Sequence, residues 1–395
     1  MEDVVVVGAC RTAVGDFGGA LKDVPPTELG ATVVRAVLER SGVSAADVGQ
    51  VVFGHVINTE PKDMYLSRVA SMNAGIPHGS VAMNVNRLCG SGLQAIISAA
   101  QAIRLGDTQV AIGAGAESMS RSPYIAPAQR WGARMGDAAL VDMMTGALSD
   151  PFDRIHMGVT AENVAERYEV SREDQDQLAL DSHQRAENAI RNGYFKSQIV
   201  PVVQKTRKGE VVFDTDEHVR MGATMENFSG LRPVFKKENG TVTAGNASAL
   251  NDGAGAVLLM SASAAAERGI KAMARLVAYA HAGVEPLYMG IGPVPTVRSL
   301  LAKTGLKVAD IDVWEVNEAF AAQALAVCRE LELDMDKVNV NGSGISLGHP
   351  IGASGTIIAV KALYEMARTG ARYGIATMCI GGGQGIAVLF ESISR

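Results

Sequence analysis

Asn86-Arg87-Leu88-Cys89-Gly90-Ser91-Gly92 runs straight into Leu93 to Leu105, where Leu93, Ile96, Ile97, Ala100 and Ile103 recur at helical spacing. A small-residue loop therefore opens onto a buried helix, and a cysteine sits at the helix N-terminus. There the unpaired backbone N–H groups and the positive end of the helix dipole favour thiolate over thiol, and the glycines let a substrate approach closely. A lone cysteine is more often an inert buried hydrophobe, so the nucleophile reading depends on what else the chain brings to it.

The pattern returns 263 residues later. Ser41-Gly42-Val43-Ser44-Ala45-Ala46-Asp47-Val48 resembles Thr304-Gly305-Leu306-Lys307-Val308-Ala309-Asp310-Ile311. At the same offset Cys89-Gly90-Ser91-Gly92 falls on Gly352-Ala353-Ser354-Gly355. One residue later in register, Gly113-Ala114-Gly115-Ala116 falls on Thr377-Met378-Cys379-Ile380. These matches predict a duplicated αβ core whose halves pair around a pseudo-twofold axis. Within the first half, the β-branched run Val4 to Val7 reads as a doubly buried strand, Thr27 to Ser41 as a helix, Val51 to Gly54 as a strand, and Val110-Ala111-Ile112-Gly113-Ala114-Gly115-Ala116 as a short strand running into a glycine-rich turn. If the halves face each other, Cys89, His349 and Cys379 converge.

The alternation stops between Ser120 and Gly245. Prolines and methionines there (Pro123, Pro127, Met135, Met143, Met144, Pro151, Met157) lead into a polar helix from about Thr160 and another opened by Ser171-Arg172-Glu173-Asp174, a capping-box pattern. This is too long for a loop and reads as an insertion that supplies a ligand cleft. The expected division is residues 1–119 with about 246–270 as the N-terminal half, 120–245 as the inserted loop domain, and 271–395 as the C-terminal half.

Composition narrows the function. The 395 residues are 47% hydrophobic, with 43 glycines and a net charge of −6, so the chain is globular and has no global attraction for nucleic acid or an anionic membrane. An acidic ligand must meet a local basic patch. No apolar run approaches the roughly 20 residues needed to span a bilayer, the start lacks the features of a secretory signal, and Ile393-Ser394-Arg395 is not a peroxisomal address. The expected location is the cytoplasm. Cys10, Cys89, Cys328 and Cys379 are irregularly spaced, as reduced thiols would be, and the seven histidines make no metal-ligand pairing, so no metal is expected.

Three more stretches carry chemistry. In Gly348-His349-Pro350-Ile351-Gly352-Ala353-Ser354-Gly355 the glycines and Pro350 present His349 on a loop ahead of an apolar helix read as Thr356 to Met366. A histidine within reach of a cysteine takes its proton; alone, it could equally be a turn histidine bonded to backbone. Cys379-Ile380-Gly381-Gly382-Gly383-Gln384-Gly385 invites a dinucleotide-binding reading, but too few residues follow for a βαβ unit. A second cysteine in a turn rich in N–H groups fits an acid/base next to an oxyanion hole better. Asn317-Glu318-Ala319-Phe320 follows the strand Val313 to Val316, where Asn317 could hold substrate or water, or simply cap a helix. Cys10 and Cys328 read as packing.

Together these blocks resemble the thiolases, enzymes that form and cleave carbon–carbon bonds between thioesters. The match covers nearly the whole chain, including Glu117-Ser118-Met119-Ser120 and Thr243-Ala244-Gly245-Asn246-Ala247-Ser248, and Thr59 to Tyr65 and Asn341 to Leu347 are similar to bacterial β-ketothiolases associated with polyhydroxyalkanoate monomer supply. The resemblance implies an α/β fold with a five-layered, duplicated αβ core and an inserted loop domain. It implies Cys89 as the acyl-accepting nucleophile and His349 as its activator, which with a water held by Asn317 also stabilises the thioester oxygen. Cys379 would deprotonate a second acetyl-CoA, with the N–H groups of Cys89 and Gly381 as an oxyanion hole. Coenzyme A enters as substrate and no cofactor is permanently bound. His156, Met157, Arg220, Phe235, Ala244, Ser248 and Met289 match positions that line the pantetheine or nucleotide, with Arg220 and Lys236 near phosphate. A homotetramer built as a dimer of dimers is implied, with Arg130-Trp131-Gly132-Ala133-Arg134 similar to the tetramer-assembly loop.

Two departures bear on acyl length. Biosynthetic relatives commonly carry a histidine where this chain has Met221, and Gly-Gly-Ala-Ile-Ala where it has Gly342-Ser343-Gly344-Ile345-Ser346. A decarboxylating ketosynthase is the nearest rival, but that group lacks the second cysteine. A non-catalytic acyl or lipid carrier would be expected to lose Cys89, His349 or Cys379, and all three are present.

Overall fold

Chain order already shows the duplication. In this computed structural model, which describes residues 2–207 and 209–393, the first half lays down β1 (Val4–Thr12), α1 (Pro26–Ser41), β2 (Gln50–Gly54), β3 (Val81–Val85), α2 (Ser91–Leu105) and β4 (Val110–Ser118). Helices α3 (Met157–Arg167) and α4 (Arg172–Arg191) follow in the insertion, and β5 (Asn251–Ser261) returns to the first sheet. The second half runs β6 (Ala274–Gly283), α5 (Pro293–Thr304), β7 (Val313–Val316), α6 (Ala321–Glu330), α7 (Ile351–Thr369), β8 (Tyr373–Ile380) and β9 (Gln384–Ser392). Ser394 and Arg395, the last two residues of the tripeptide read above, lie outside the described residues.

Pairing confirms the equivalence. β2 runs parallel to β4, β4 antiparallel to β5, and β5 antiparallel to β1. β7, β8, β9 and β6 repeat those partners and directions. The two sheets join edge to edge, where β1 pairs antiparallel with β6 at Val5–Arg275 and Val6–Ala274, giving one continuous order β7-β8-β9-β6-β1-β5-β4-β2-β3.

Three apolar cores separate five layers. Val33, Val34 and Val37 of α1 pack with Val5, Val7 and Ile112 on one side of the first sheet. Leu93, Ile96, Ile97 of α2 and Ile358, Ala359, Leu363 of α7 fill the space between the sheets, and α5 and α6 cover the outer face of the second sheet through Val297, Leu300, Ala326 and Val327. Each buried Leu or Ile side chain is worth roughly 1.5–3 kcal/mol, so the central pair of helices does much to hold the halves together.

Glycine permits that central layer. A Cβ on Gly92 would lie 2.5 Å from Thr356 N, and one on Gly355 would run into Leu93 N, so the first turns of α2 and α7 touch backbone to backbone. Gly355→Ala should therefore cost about 1–3 kcal/mol by overpacking; a urea midpoint equal to that of the unaltered chain would contradict this close approach.

The same crowding corrects two expectations. Gly113 to Ala116 is not a turn: β4 continues to Ser118, and Gly113 and Gly115 lie within it because a Cβ there would meet Ile96 of α2 and Gly352 and Ala353 of α7. Helix α7 also begins at Ile351 rather than Thr356, with Pro350 at its N-cap, so Gly352 and Gly355 serve helix packing instead of a turn.

In the insertion, α4 starts where the capping pattern places it, with Ser171 Oγ accepting from Asp174 N at 3.0 Å. Buried Arg11 of β1 holds Asp216 through a bidentate pair at 2.7 and 2.9 Å, fastening the insertion to the first sheet. Among the described residues no helix is long and apolar enough to cross a membrane.

Candidate active site

The Cys89 loop is shaped by its own polar residues. Asn86 Oδ1 accepts from Leu88 N at 3.0 Å, and Ser91 Oγ accepts from Arg87 N at 2.8 Å while donating to Leu88 O at 2.6 Å. These bonds hold Leu88, immediately before Cys89, at φ +43°, a left-handed conformation rare for a branched side chain. Gly90 passes Ile380 so closely that a Cβ would lie 2.5 Å from its Cδ1.

Cys89 and His349 line one largely apolar cavity of about 460 Å³. Six of the seven positions read as ligand contacts line it too: His156, Met157, Phe235, Ala244, Ser248 and Met289. Arg220 does not. Its backbone N–H goes to His183 Nδ1 and its guanidinium lies over the Phe228 ring, 5.7 Å from the centroid. Lys236 is likewise outside the wall, paired with Glu166 at 3.0 Å.

His349 is fully buried and its backbone is fixed from the opposite half, where Asn251 Oδ1 accepts its N–H at 2.9 Å. Gly348 before it has φ +106°, and a Cβ there would strike the Asn251 side chain. The imidazole Nδ1 lies 2.6 Å from Ser354 Oγ, whose hydroxyl donates to Pro350 O at 3.0 Å. With that proton committed, Ser354 accepts, so Nδ1 carries the ring hydrogen and Nε2 is the free base. Nε2 has no partner in the protein. Burial pushes His349 down to about 4, so it is a neutral base at pH 7.

The thiols answer differently from the helix-terminus argument. Burial pushes Cys89 up to about 11, against the opposing pull of the Gly381 N–H and its own N–H, while the Glu117 carboxylate also raises it. Desolvation outweighs the helix dipole, so the resting group is the thiol. Two backbone N–H groups act on the sulfur, its own from the loop and that of Gly381 from the turn after β8. Cys379, near the end of β8, is completely buried among Met157, Met289, Ala319 and Phe320, and burial and the neighbouring Cys89 raise it further. Gly381, Gly382 and Gly383 form the β8–β9 turn, with φ +84° and +86° at the last two, which leaves no helix for a dinucleotide to use. Cys10 and Cys328 are both pushed up to about 12 by burial and lie outside this wall.

Asn317 sits behind rather than on the cavity wall. Its N–H donates to Thr377 O at 3.0 Å, and its amide Nδ2 is buried without a protein partner, beside a small internal cavity shared with Ser343, Gly348 and Ser354. It is not a helix cap, because α6 begins at Ala321. The next residue, Glu318, is held by Ser182 Oγ at 2.6 Å and Asn339 Nδ2 at 2.9 Å, which fixes the loop to α4.

His156 is the N-cap of α3, its Nδ1 accepting from Gly158 N at 3.0 Å, and its ring stacks on Phe235 with centroids 4.7 Å apart. Burial lowers it, so it too is neutral. Sequence reasoning missed the wall on the Cys89 side, built by Met119, Met144, Leu148, Leu250 and Ile351. The methionine-rich start of the insertion was the available signal. The two departures lie elsewhere: Met221 is exposed, and Gly342 to Ser346 are not in the wall.

Known proteins resemble the chain over its whole length. The family models described as thiolase, N-terminal domain and thiolase, C-terminal domain match residues 4–263 and 270–392. The beta-ketothiolase BktB of Cupriavidus necator is 67% identical over 392 residues, 99% of this chain and 100% of that protein. An acetyl-CoA acetyltransferase of Pseudomonas aeruginosa is 52% identical across 98% of this chain and 99% of its own length. Among solved structures, the Bacillus anthracis acetyl-CoA acetyltransferase matches with TM-score 0.97 at 47% identity, covering 100% of this chain and 99% of that one. Human mitochondrial 3-ketoacyl-CoA thiolase in complex with CoA matches with TM-score 0.96 at 43% identity, covering 99% and 98%.

Proposed function

The chain belongs to the thiolase family and is an acetyl-CoA C-acyltransferase, and from that premise we propose that it condenses acetyl-CoA with acetyl-CoA or a short acyl-CoA through an acyl group carried on Cys89. The observation that carries this reading is the unpartnered His349 Nε2 on the same cavity wall as Cys89, with the N–H groups of Cys89 and Gly381 on the sulfur.

The steps balance. Cys89 Sγ attacks the thioester carbonyl as His349 Nε2 takes its proton, and the carbon–sulfur bond to coenzyme A breaks. Cys379 gives its proton to the departing CoA thiolate, and because burial raises it, the thiolate left behind is a strong base. That base takes a proton from the methyl of a second acetyl-CoA, and the carbanion attacks the acyl group on Cys89. Cys89 leaves as thiolate and recovers its proton from His349. The N–H groups of Cys89 and Gly381 hold the oxyanion of this attack, while Asn317 Nδ2 is free to hold a water at the thioester oxygen of the second substrate. Thiolysis uses the same groups in reverse. The decarboxylating ketosynthase and the non-catalytic carrier are not favoured by the family assignment.

The remaining parts of the reading follow. Residues 120–245 form the inserted loop domain between 1–119 with about 246–270 and 271–395, supplying the pantetheine wall and tetramer contacts. Trp131 and Met135, 93% and 95% exposed, support a role for that loop in assembly of a homotetramer. Reactive thiols suit the reducing cytoplasm, and the chain's product suits polyhydroxyalkanoate monomer supply.

Intact-protein mass after brief exposure to acetyl-CoA, then to propionyl-CoA, with peptide mapping of the adduct, tests the core of this. Acylation at Cys89 by both is expected, because the cavity it lines is walled by the apolar side chains of Met119, Met144, Leu148, Leu250 and Ile351. Acetyl alone would restrict the enzyme to acetoacetyl-CoA, and no adduct on folded, reduced protein would overturn the acyl-enzyme.

A further inference from the structure

Glu117 lies next to the end of β4 and is not used in the steps above, yet it is completely buried between the two catalytic loops. Its Oε2 accepts from Gly352 N at 2.8 Å and Val56 N at 3.0 Å, and its Oε1 accepts from Ile57 N at 3.1 Å. Both oxygens accept, which is the pattern of a carboxylate. Gly352 is in the first turn of α7, three residues after His349, and a Cβ there would collide with Glu117 Oε2. Val56 and Ile57 follow β2 and pack, with Met119 and Ile351, against Cys89. One side chain of the first half therefore grips the segment that flanks Cys89 and the helix start that follows His349.

A second observation lies beside it. His55 Nδ1 faces Ala116 O at 2.9 Å, so it carries the hydrogen, and Nδ1 also lies 3.4 Å from Glu117 Oε1. Its Nε2 is buried without a partner. Among the described residues no lysine or arginine pairs with the carboxylate; burial raises Glu117, and His55 with the three backbone N–H groups pulls the other way, toward the charged form. The carboxylate also raises the Cys89 thiol, as the smallest of the influences on it, burial being the largest.

We propose that Glu117 is a positioning residue for the condensation: its carboxylate, gripping the segment beside Cys89 and the helix start after His349, sets the separation of those two groups across the two halves, and its charge offsets the imidazolium that forms at His349. This rests on the acyl-enzyme reading. The groups that bear on Cys89 are Glu117 from β4, His349 from the loop before α7 and Cys379 from β8; His55 bears on Glu117 from the loop after β2. A misplacement of about 1 Å between reacting groups can cost roughly 100-fold, so the geometry has leverage.

Glu117→Gln and Glu117→Asp separate the two effects. Glu117→Gln removes the charge and turns an N–H₂ toward a backbone N–H. It should lower kcat by roughly 10- to 100-fold, leave KM for acetyl-CoA within about twofold, and move the midpoint of Cys89 alkylation by iodoacetamide to lower pH. Glu117→Asp keeps the charge but is one methylene short of its three donors. It should lower kcat comparably and leave the alkylation midpoint where it is in the unaltered enzyme. A purely structural role would move neither midpoint. Unaltered kcat in both variants, or an unmoved midpoint in Glu117→Gln, would overturn the proposal. So would failure of both variants to fold, which would make Glu117 a determinant of folding. Failure of the acyl-enzyme itself would show separately, as no Cys89 adduct in the unaltered enzyme.

Discussion

A Cys379→Ala variant should take an acyl group onto Cys89 and then stop. Condensation should fall by roughly 10²–10⁴-fold, the usual worth of a positioned proton-transfer group. The adduct should still form, more slowly, because protonation of the leaving CoA thiolate is the only contribution Cys379 makes to that half. The separation is possible because the two sulfurs have different surroundings. Cys89 is half-buried on the cavity wall, with the Met119 and Ile351 cluster beside it. Cys379 is closed in by Met157, Met289 and Phe320, and nothing but the substrate methyl needs to reach it. Burial among those apolar groups is what makes its thiolate a strong base. Loss of one sulfur from this packing should cost on the order of 1 kcal/mol, so the variant should fold. The checks are adduct mass at Cys89 against acetoacetyl-CoA formation in the same sample. Condensation at the unaltered rate would remove Cys379 from the proton-transfer role.

The duplicated core was legible because its signals are local and repeated. Helix starts, strand runs and glycines recur at offsets of 263 and 264, and those offsets make α2 the counterpart of α7 and β4 the counterpart of β8. Glycine was misread within that frame. Gly113, Gly115, Gly352 and Gly355 look like turn residues in one dimension, whereas each marks a place where a second backbone comes within van der Waals reach. No window of sequence contains that second backbone. The electrostatics of Cys89 failed for a related reason: the helix terminus is visible in the sequence, but the desolvation that outweighs it comes from both halves at once. Asn251 and Glu117 fix His349 and Gly352 across the half-to-half boundary, and neither has a neighbour in the chain that announces it. Arg220, by contrast, had a plausible charge and no geometric constraint, and it lies against Phe228 instead of the cavity.

His349→Ala should change how acylation depends on pH as well as its rate. In the unaltered enzyme the thiol sits at about 11 and the imidazole at about 4, so between those limits both are neutral and the proton can pass from Sγ to Nε2 within the site. The sign follows from His349: its lowered value means the basic form persists as pH falls and is lost only as pH approaches about 4. Acylation should therefore be nearly flat from pH 6 to 9 and decline below about 5. Without the imidazole, acylation depends on pre-formed thiolate, a fraction of about 10⁻⁴ at pH 7 for a group at about 11. The variant should accordingly lose roughly 10²–10⁴-fold at pH 7 and regain about tenfold with each pH unit upward. Single-turnover acylation followed by intact mass from pH 5 to 9 distinguishes the profiles. A variant that is slower but equally flat would mean that another group removes the Cys89 proton. The orphaned Nε2 offers no rival for that position: the ring is held by Ser354 on its other nitrogen, Asn251 fixes the backbone, and the free lone pair is left without a protein partner.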